Sequence, residues 1–151
     1  MWIGSPLLVH GRCQKAIFDI SNSIAYNNKM IYASFDQPET ACEWIHVEGK
    51  AVNQHFVRNQ ADVILPMAIE AFKNSWKAGK EADMVILCLG VDSSDRGNGA
   101  IGWASEKPNI LNVAVTRAKN RLYIVGDAKR WSGRPFFKTV YEICTKRSPA
   151  L

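Results

Sequence analysis

Two short stretches, Ala82–Leu89 and Arg121–Val125, are almost continuously apolar, and they constrain the fold more than any other feature of the chain. A run of that length, with Val85, Ile86 and Leu87 in succession, suits a strand covered on both faces, as in a parallel sheet. Pro6–His10 and Trp44–Val47 read as further strands, the latter through β-branched Ile45 and Val47. Helical spacing lies between them. Ala16–Tyr26 carries Ile17, Ile20, Ile24 and Ala25 on one side and is closed by Asn27 and Asn28. Asn59–Trp76 carries Val63, Ile64, Met67, Ala71 and Phe72, with Pro66 as an interior misfit. A strand Val63–Leu65 followed by a helix from Pro66 is the second choice there. Gly90–Gly102, rich in Gly, Ser and Asp, reads as a loop. Pro108 opens a helix running to Asn120, and Phe136–Cys144 forms a terminal helix. Strands alternating with helices predict a three-layer α/β sandwich, in which ligands gather beyond the carboxyl ends of the strands.

Composition removes several function classes. With 151 residues, 47% hydrophobic and 22% charged, the chain is expected to form one globular domain rather than a disordered segment. Its longest apolar stretch, Met84–Val91, is far short of the roughly 20 residues a membrane span needs. Met1–Cys13 lacks the basic start of a signal peptide. Cys13, Cys42, Cys88 and Cys144 are scattered, and His10, His46 and His55 are isolated, so a structural zinc site is not expected. Cys88 should behave as a small buried hydrophobe. Free thiols predict a cytoplasmic location. No Gly-x-Ser-x-Gly elbow and no Gly-x-x-x-x-Gly-Lys-Ser/Thr loop is present, since Gly79-Lys80 is followed by Glu81. The net charge of +5 is spread along the chain and says little by itself about a polyanionic partner.

The richest stretch is Asn109–Asp127, a helix followed at once by a hydrophobic strand. Ile110, Leu111, Ala114, Val115 and Ala118 supply a packing face, while Asn112, Thr116 and Lys119 share another face with Arg117 to one side. An arginine on a rigid helix beside a sheet presents a planar cation suited to phosphate. A solvated amphipathic helix would show the same periodicity.

Val113-Ala114-Val115-Thr116-Arg117-Ala118-Lys119 resembles motif VI of the superfamily 1 helicases, and Leu122–Asp127 resembles the strand that follows it. Gly79–Ile86 is similar to the second half of motif V, and Pro6–Tyr26 to the motif IV region of the branch related to RNA-decay and Okazaki-fragment helicases. The resemblance covers nearly the whole chain in motif order. It implies a RecA-like (P-loop NTPase-type) domain with a mainly parallel sheet, the C-terminal one of two. Nucleotide would lie between those two domains, and single-stranded nucleic acid would cross both. By resemblance Arg117 is the catalytic arginine at the γ-phosphate, Gly79 and Glu81 join it in contacting ATP, and Asn112 and Thr116 couple it to the nucleic-acid face. Lys80 and Lys119 are potential charge partners or merely solvated. Trp103, in the loop expected over Asp92–Lys107, is the tryptophan best placed to stack on a base.

Three departures qualify the likeness. The P-loop, the Mg2+-binding acid and the catalytic base belong to the first RecA-like domain, so this chain alone is expected not to hydrolyse ATP. His10-Gly11-Arg12-Cys13 has glycine where the family has an arginine, and Arg12 on a strand would face the opposite way. Ala78 replaces the motif V glutamine, and a strand-helix unit is missing near residues 73–79. A sheet short of that strand would expose an edge and pair with a second copy as a homodimer. The rival expectation is therefore a non-catalytic remnant that binds nucleic acid or forms oligomers.

Overall fold

The computed structural model describes residues 8–35, 41–52, 56–73, 82–92 and 94–147. In chain order the elements are β1 (Val9–His10), α1 (Lys15–Ala25), β2 (Ile31–Tyr32), β3 (Ala41–His46), β4 (Ala51–Val52), β5 (Phe56–Val57), α2 (Arg58–Lys73), β6 (Ala82–Cys88), α3 (Asp95–Glu106), α4 (Pro108–Val115), β7 (Ala118–Gly126), α5 (Ala128–Trp131) and α6 (Phe137–Arg147). The central sheet is parallel, in the order β3-β7-β6, with Ile45 opposite Val125 and Leu87 opposite Ile124. β1 and β2 form a separate parallel pair, and β4 and β5 a small antiparallel hairpin.

The alternation of β7 divides the packing. Leu122 and Ile124 are fully buried in one core with Ile17, Ile20, Trp44, Ile101, Leu111, Val115, Trp131 and Val140. α1 packs against both α4 and α6, α4 against β6 and β7 and α6 against β3, while α2 lies against β6 and β7. This is the expected α/β architecture with a mainly parallel sheet, compatible with a RecA-like three-layer fold. α2 runs through Pro66, so the helical reading holds over the strand Val63–Leu65.

Several expectations are corrected. Residues 95–106, expected as loop, form α3, because Ser94 caps it by accepting from the Gly97 N–H at 3.2 Å. Burial of Ile101 offsets the poor helix propensity of Gly97, Gly99 and Gly102. Gly97 packs so closely on the Asp92 carbonyl that a Cβ would lie 2.2 Å from its oxygen. The helix expected to reach Asn120 stops at Val115, where the Thr116 hydroxyl donates back to the Asn112 carbonyl at 2.7 Å, and β7 begins at Ala118. Phe72 of the expected α2 stripe is exposed. Cys88 lies exposed on edge strand β6. Cys42 and Cys144 are joined as a disulfide between β3 and α6, which does not include Cys13 and Cys88. The missing strand near 73–79 falls outside the described residues after Lys73.

Candidate functional site

Arg117 stands exposed on the two-residue turn between α4 and β7. The backbone around it is held from three sides. Its carbonyl accepts from the Ala82 N–H at 3.1 Å, fixing the turn to the start of β6, and its own N–H donates to the Ala114 carbonyl at 3.3 Å. The loop before α1 closes the third side. The Gln14 N–H donates to the Lys119 carbonyl at 2.9 Å, and the Cys13 thiol contacts the Thr116 carbonyl at 3.7 Å. A polar ladder continues outward, from Gln14 Nε2 to Asn120 Oδ1 and from Asn120 Nδ2 to Asp83 Oδ1, at 3.4 and 3.2 Å. The guanidinium thus projects from a backbone pinned to α1, α4 and β6.

Arg117 therefore belongs to a turn at the amino end of β7, not to a helix interior and not beyond a carboxyl end. Its side chain is exposed. Arg12 stands exposed in the bend joining β1 to α1. Because that segment is not a strand, the expected alternation of Gly11 and Arg12 to opposite faces does not apply. A Cβ on Gly11 would meet only the Ala33 carbonyl oxygen, at 3.5 Å, so a side chain fits there. His10 shapes this bend: its Nε2 accepts from the Cys13 N–H at 3.1 Å. Burial, and secondarily the Arg12 charge, hold the His10 pKa below its ordinary value.

The remaining candidates divide. Asn112 is half-buried, and its Oδ1 accepts from the Ser21 hydroxyl at 2.8 Å, tying α4 to α1. Thr116 spends its hydroxyl on α4's last turn. Both position the Arg117 turn from within the fold. Trp103 is exposed, but on α3 rather than a loop, with all of α4 between it and Arg117 along the chain. Gly79 and Glu81, with Lys80, lie outside the described residues. The residues that sequence reasoning missed here are Asn120 and Asp83, polar side chains at the entrance to apolar strands, and Gln14, which immediately precedes α1.

At the opposite end of the sheet, His46, Glu48 and Asp127 bring ligand atoms within 4.8 Å of one another. One atom or more of each is already engaged. His46 Nδ1 accepts from the Ala128 N–H at 2.9 Å, Asp127 caps α5 through the Lys129 N–H at 3.0 Å, and Glu48 pairs with the Lys129 ammonium. That ammonium, ahead of His46, pulls the Glu48 pKa down. The trio therefore caps and clamps a helix start. Asp92 nearby is held at a pKa of about 2 by hydrogen bonds from Ser94 and the Ala51 N–H, helped by the charge of Arg130.

No described helix is long and apolar enough to cross a membrane. A comparison with curated proteins finds no match for the chain. Residues 69–129 match the family model of an AAA domain, from the last turn of α2 through β7. The match supports, at a coarse level, a helicase or P-loop NTPase-type domain, the kind found in the C-terminal region of superfamily 1 helicases, and it includes Arg117 and the strands that hold it.

Proposed function

We propose that the chain is the C-terminal RecA-like half of a superfamily 1 helicase motor, in the branch related to RNA-decay and Okazaki-fragment helicases. In this reading it is silent alone and completes a nucleotide site held by a first RecA-like domain. The observation that carries this is the exposed Arg117 on a turn braced by α1, α4 and β6, within the matched stretch. The chain's own residues suit one part of an ATP site: a guanidinium for the terminal phosphate. They do not suit Mg2+, because the one group of three potential metal ligands among the described residues lies at the other end of the sheet with its atoms engaged. Hydrolysis energy would come from nucleotide bound to the partner domain. Here Arg117 supplies positive charge, and Asn112 and Thr116 hold its turn in place. Single-stranded nucleic acid crossing the pair would be the second ligand, with Trp103 an exposed face for a base.

The test is ATP turnover stimulated by single strands, measured on a two-domain protein carrying this chain behind a first RecA-like domain. Arg117→Ala is expected to lower turnover by about 10³-fold or more, the scale of an arginine finger. Unchanged turnover would remove Arg117 from the reaction. Gly11, standing where the family has an arginine, favours a second reading, a remnant that binds nucleic acid or assembles without turnover. In that case the two-domain protein binds single strands in a salt-dependent way but hydrolyses nothing.

A further inference from the structure

We propose that a cavity between α3 and α5, beyond the carboxyl end of β7, is a binding site for a phosphate group. The cavity has a volume of about 410 Å³ and is lined by Asn98 of α3, Lys129 and Arg130 of α5, and Gly133 and Arg134 of the following turn. Three of those five residues are cations and none is an acid. β7 is nine residues long, so about 30 Å of strand separates this site from Arg117. The site stands on its own geometry and does not depend on the motor reading.

Arg130 is the most telling member. Its Nη2 donates to Asn98 Oδ1 at 2.7 Å, which orients the guanidinium fork. Its Nε is buried and has no hydrogen-bond partner. Arg134 is exposed, and among the described residues no hydrogen bond or ion pair engages its guanidinium. At Gly133 a Cβ would meet nothing within 4 Å, so the backbone there is open to close approach. Two acids act on these cations without lining the cavity: Glu48 pairs with the Lys129 ammonium, and the Asp92 charge interacts with Arg130.

The chemistry selects phosphate over a lone carboxylate. A carboxylate is matched by a single arginine fork, whereas two guanidiniums around one cavity, beside an ammonium already paired with Glu48, suit a group with several anionic oxygens. The volume falls in the range of small-molecule sites, roughly 300–1,000 Å³. The phosphate could arrive on a free phosphorylated small molecule or in the backbone of a nucleic acid, and the experiment separates these sources.

Inorganic pyrophosphate is titrated calorimetrically into the full chain at low salt, with saturable binding expected. Arg134→Glu should weaken it by about tenfold or more, the scale of a lost charged hydrogen bond. Arg130→Lys, which keeps the charge but removes the guanidinium fork that Asn98 orients, should weaken it as well. Lys146→Glu makes the same charge change on exposed α6 and should bind like the wild type. Melting curves for each variant check the fold. Displacement of pyrophosphate by a short thymidine oligonucleotide assigns the site to backbone phosphates. Retention against excess oligonucleotide assigns it to a small phosphorylated ligand. The proposal is overturned if pyrophosphate does not bind, if Arg134→Glu and Arg130→Lys both bind normally, or if Lys146→Glu weakens binding equally.

Discussion

His10 shows how one side chain can tune the candidate site from outside it. Its Nε2 accepts the Cys13 N–H, so protonation at that nitrogen removes the bond that shapes the Arg12 bend. Burial, and then Arg12, lower its pKa in the folded state, so the unfolded chain binds the proton more readily. This contribution to stability is complete above the unfolded value near 6.5 and is lost as pH falls through the lower folded value. Urea unfolding midpoints should therefore decline below about pH 6.5, and His10→Gln should flatten that part of the profile. An unchanged slope in the variant would place the titration elsewhere. Arg117 itself was legible in sequence through its motif setting. Its local geometry was not, because helical periodicity cannot register that Thr116 turns its hydroxyl back on Asn112 and ends α4 two residues before the arginine.

Elements were legible where hydrophobic pattern and length agreed. β6 and β7 announce themselves as apolar runs, and α1 as a helix closed by Asn27 and Asn28, which take left-handed φ of 50° and 58°. α3 was hidden by three glycines, since composition reads as loop while the Ser94 cap and buried Ile101 are tertiary facts. The anchoring of α2 was hidden too. The helix shows a modest apolar stripe, yet its fully buried side chain is the polar Gln60. Gln60 Oε1 accepts from the Gly90 N–H at 2.9 Å and the Cys88 thiol at 3.3 Å, while Nε2 donates to the Val47 carbonyl at 3.5 Å. One amide thus ties α2 to the ends of β3 and β6. Gln60→Leu should cost about 1–3 kcal/mol by stranding these groups, read as a shift in the denaturant midpoint. A neutral result would mean that water or relaxation replaces the amide.

At the scale of the molecule, the sheet keeps β7 in the middle and leaves β3 and β6 as flanks among the described residues. The reading of β6 as an edge supports self-association, and sedimentation at high concentration should show a dimer; a monomer throughout would count against it. The two ends of β7 carry different charge arrangements. The amino end offers one braced arginine, legible by motif, and the carboxyl end a cationic cavity that no motif marks, because Lys129, Arg130 and Arg134 meet Asn98 only through the fold. The account's central claim concerns the first of these. Its most direct measurement is a structure of the two-domain protein with single-stranded nucleic acid and a nucleotide mimicking the transition state. The account predicts the Arg117 guanidinium within hydrogen-bonding distance of the terminal phosphate, about 2.7–2.9 Å. An Arg117 turned away from the nucleotide in the closed pair would contradict it.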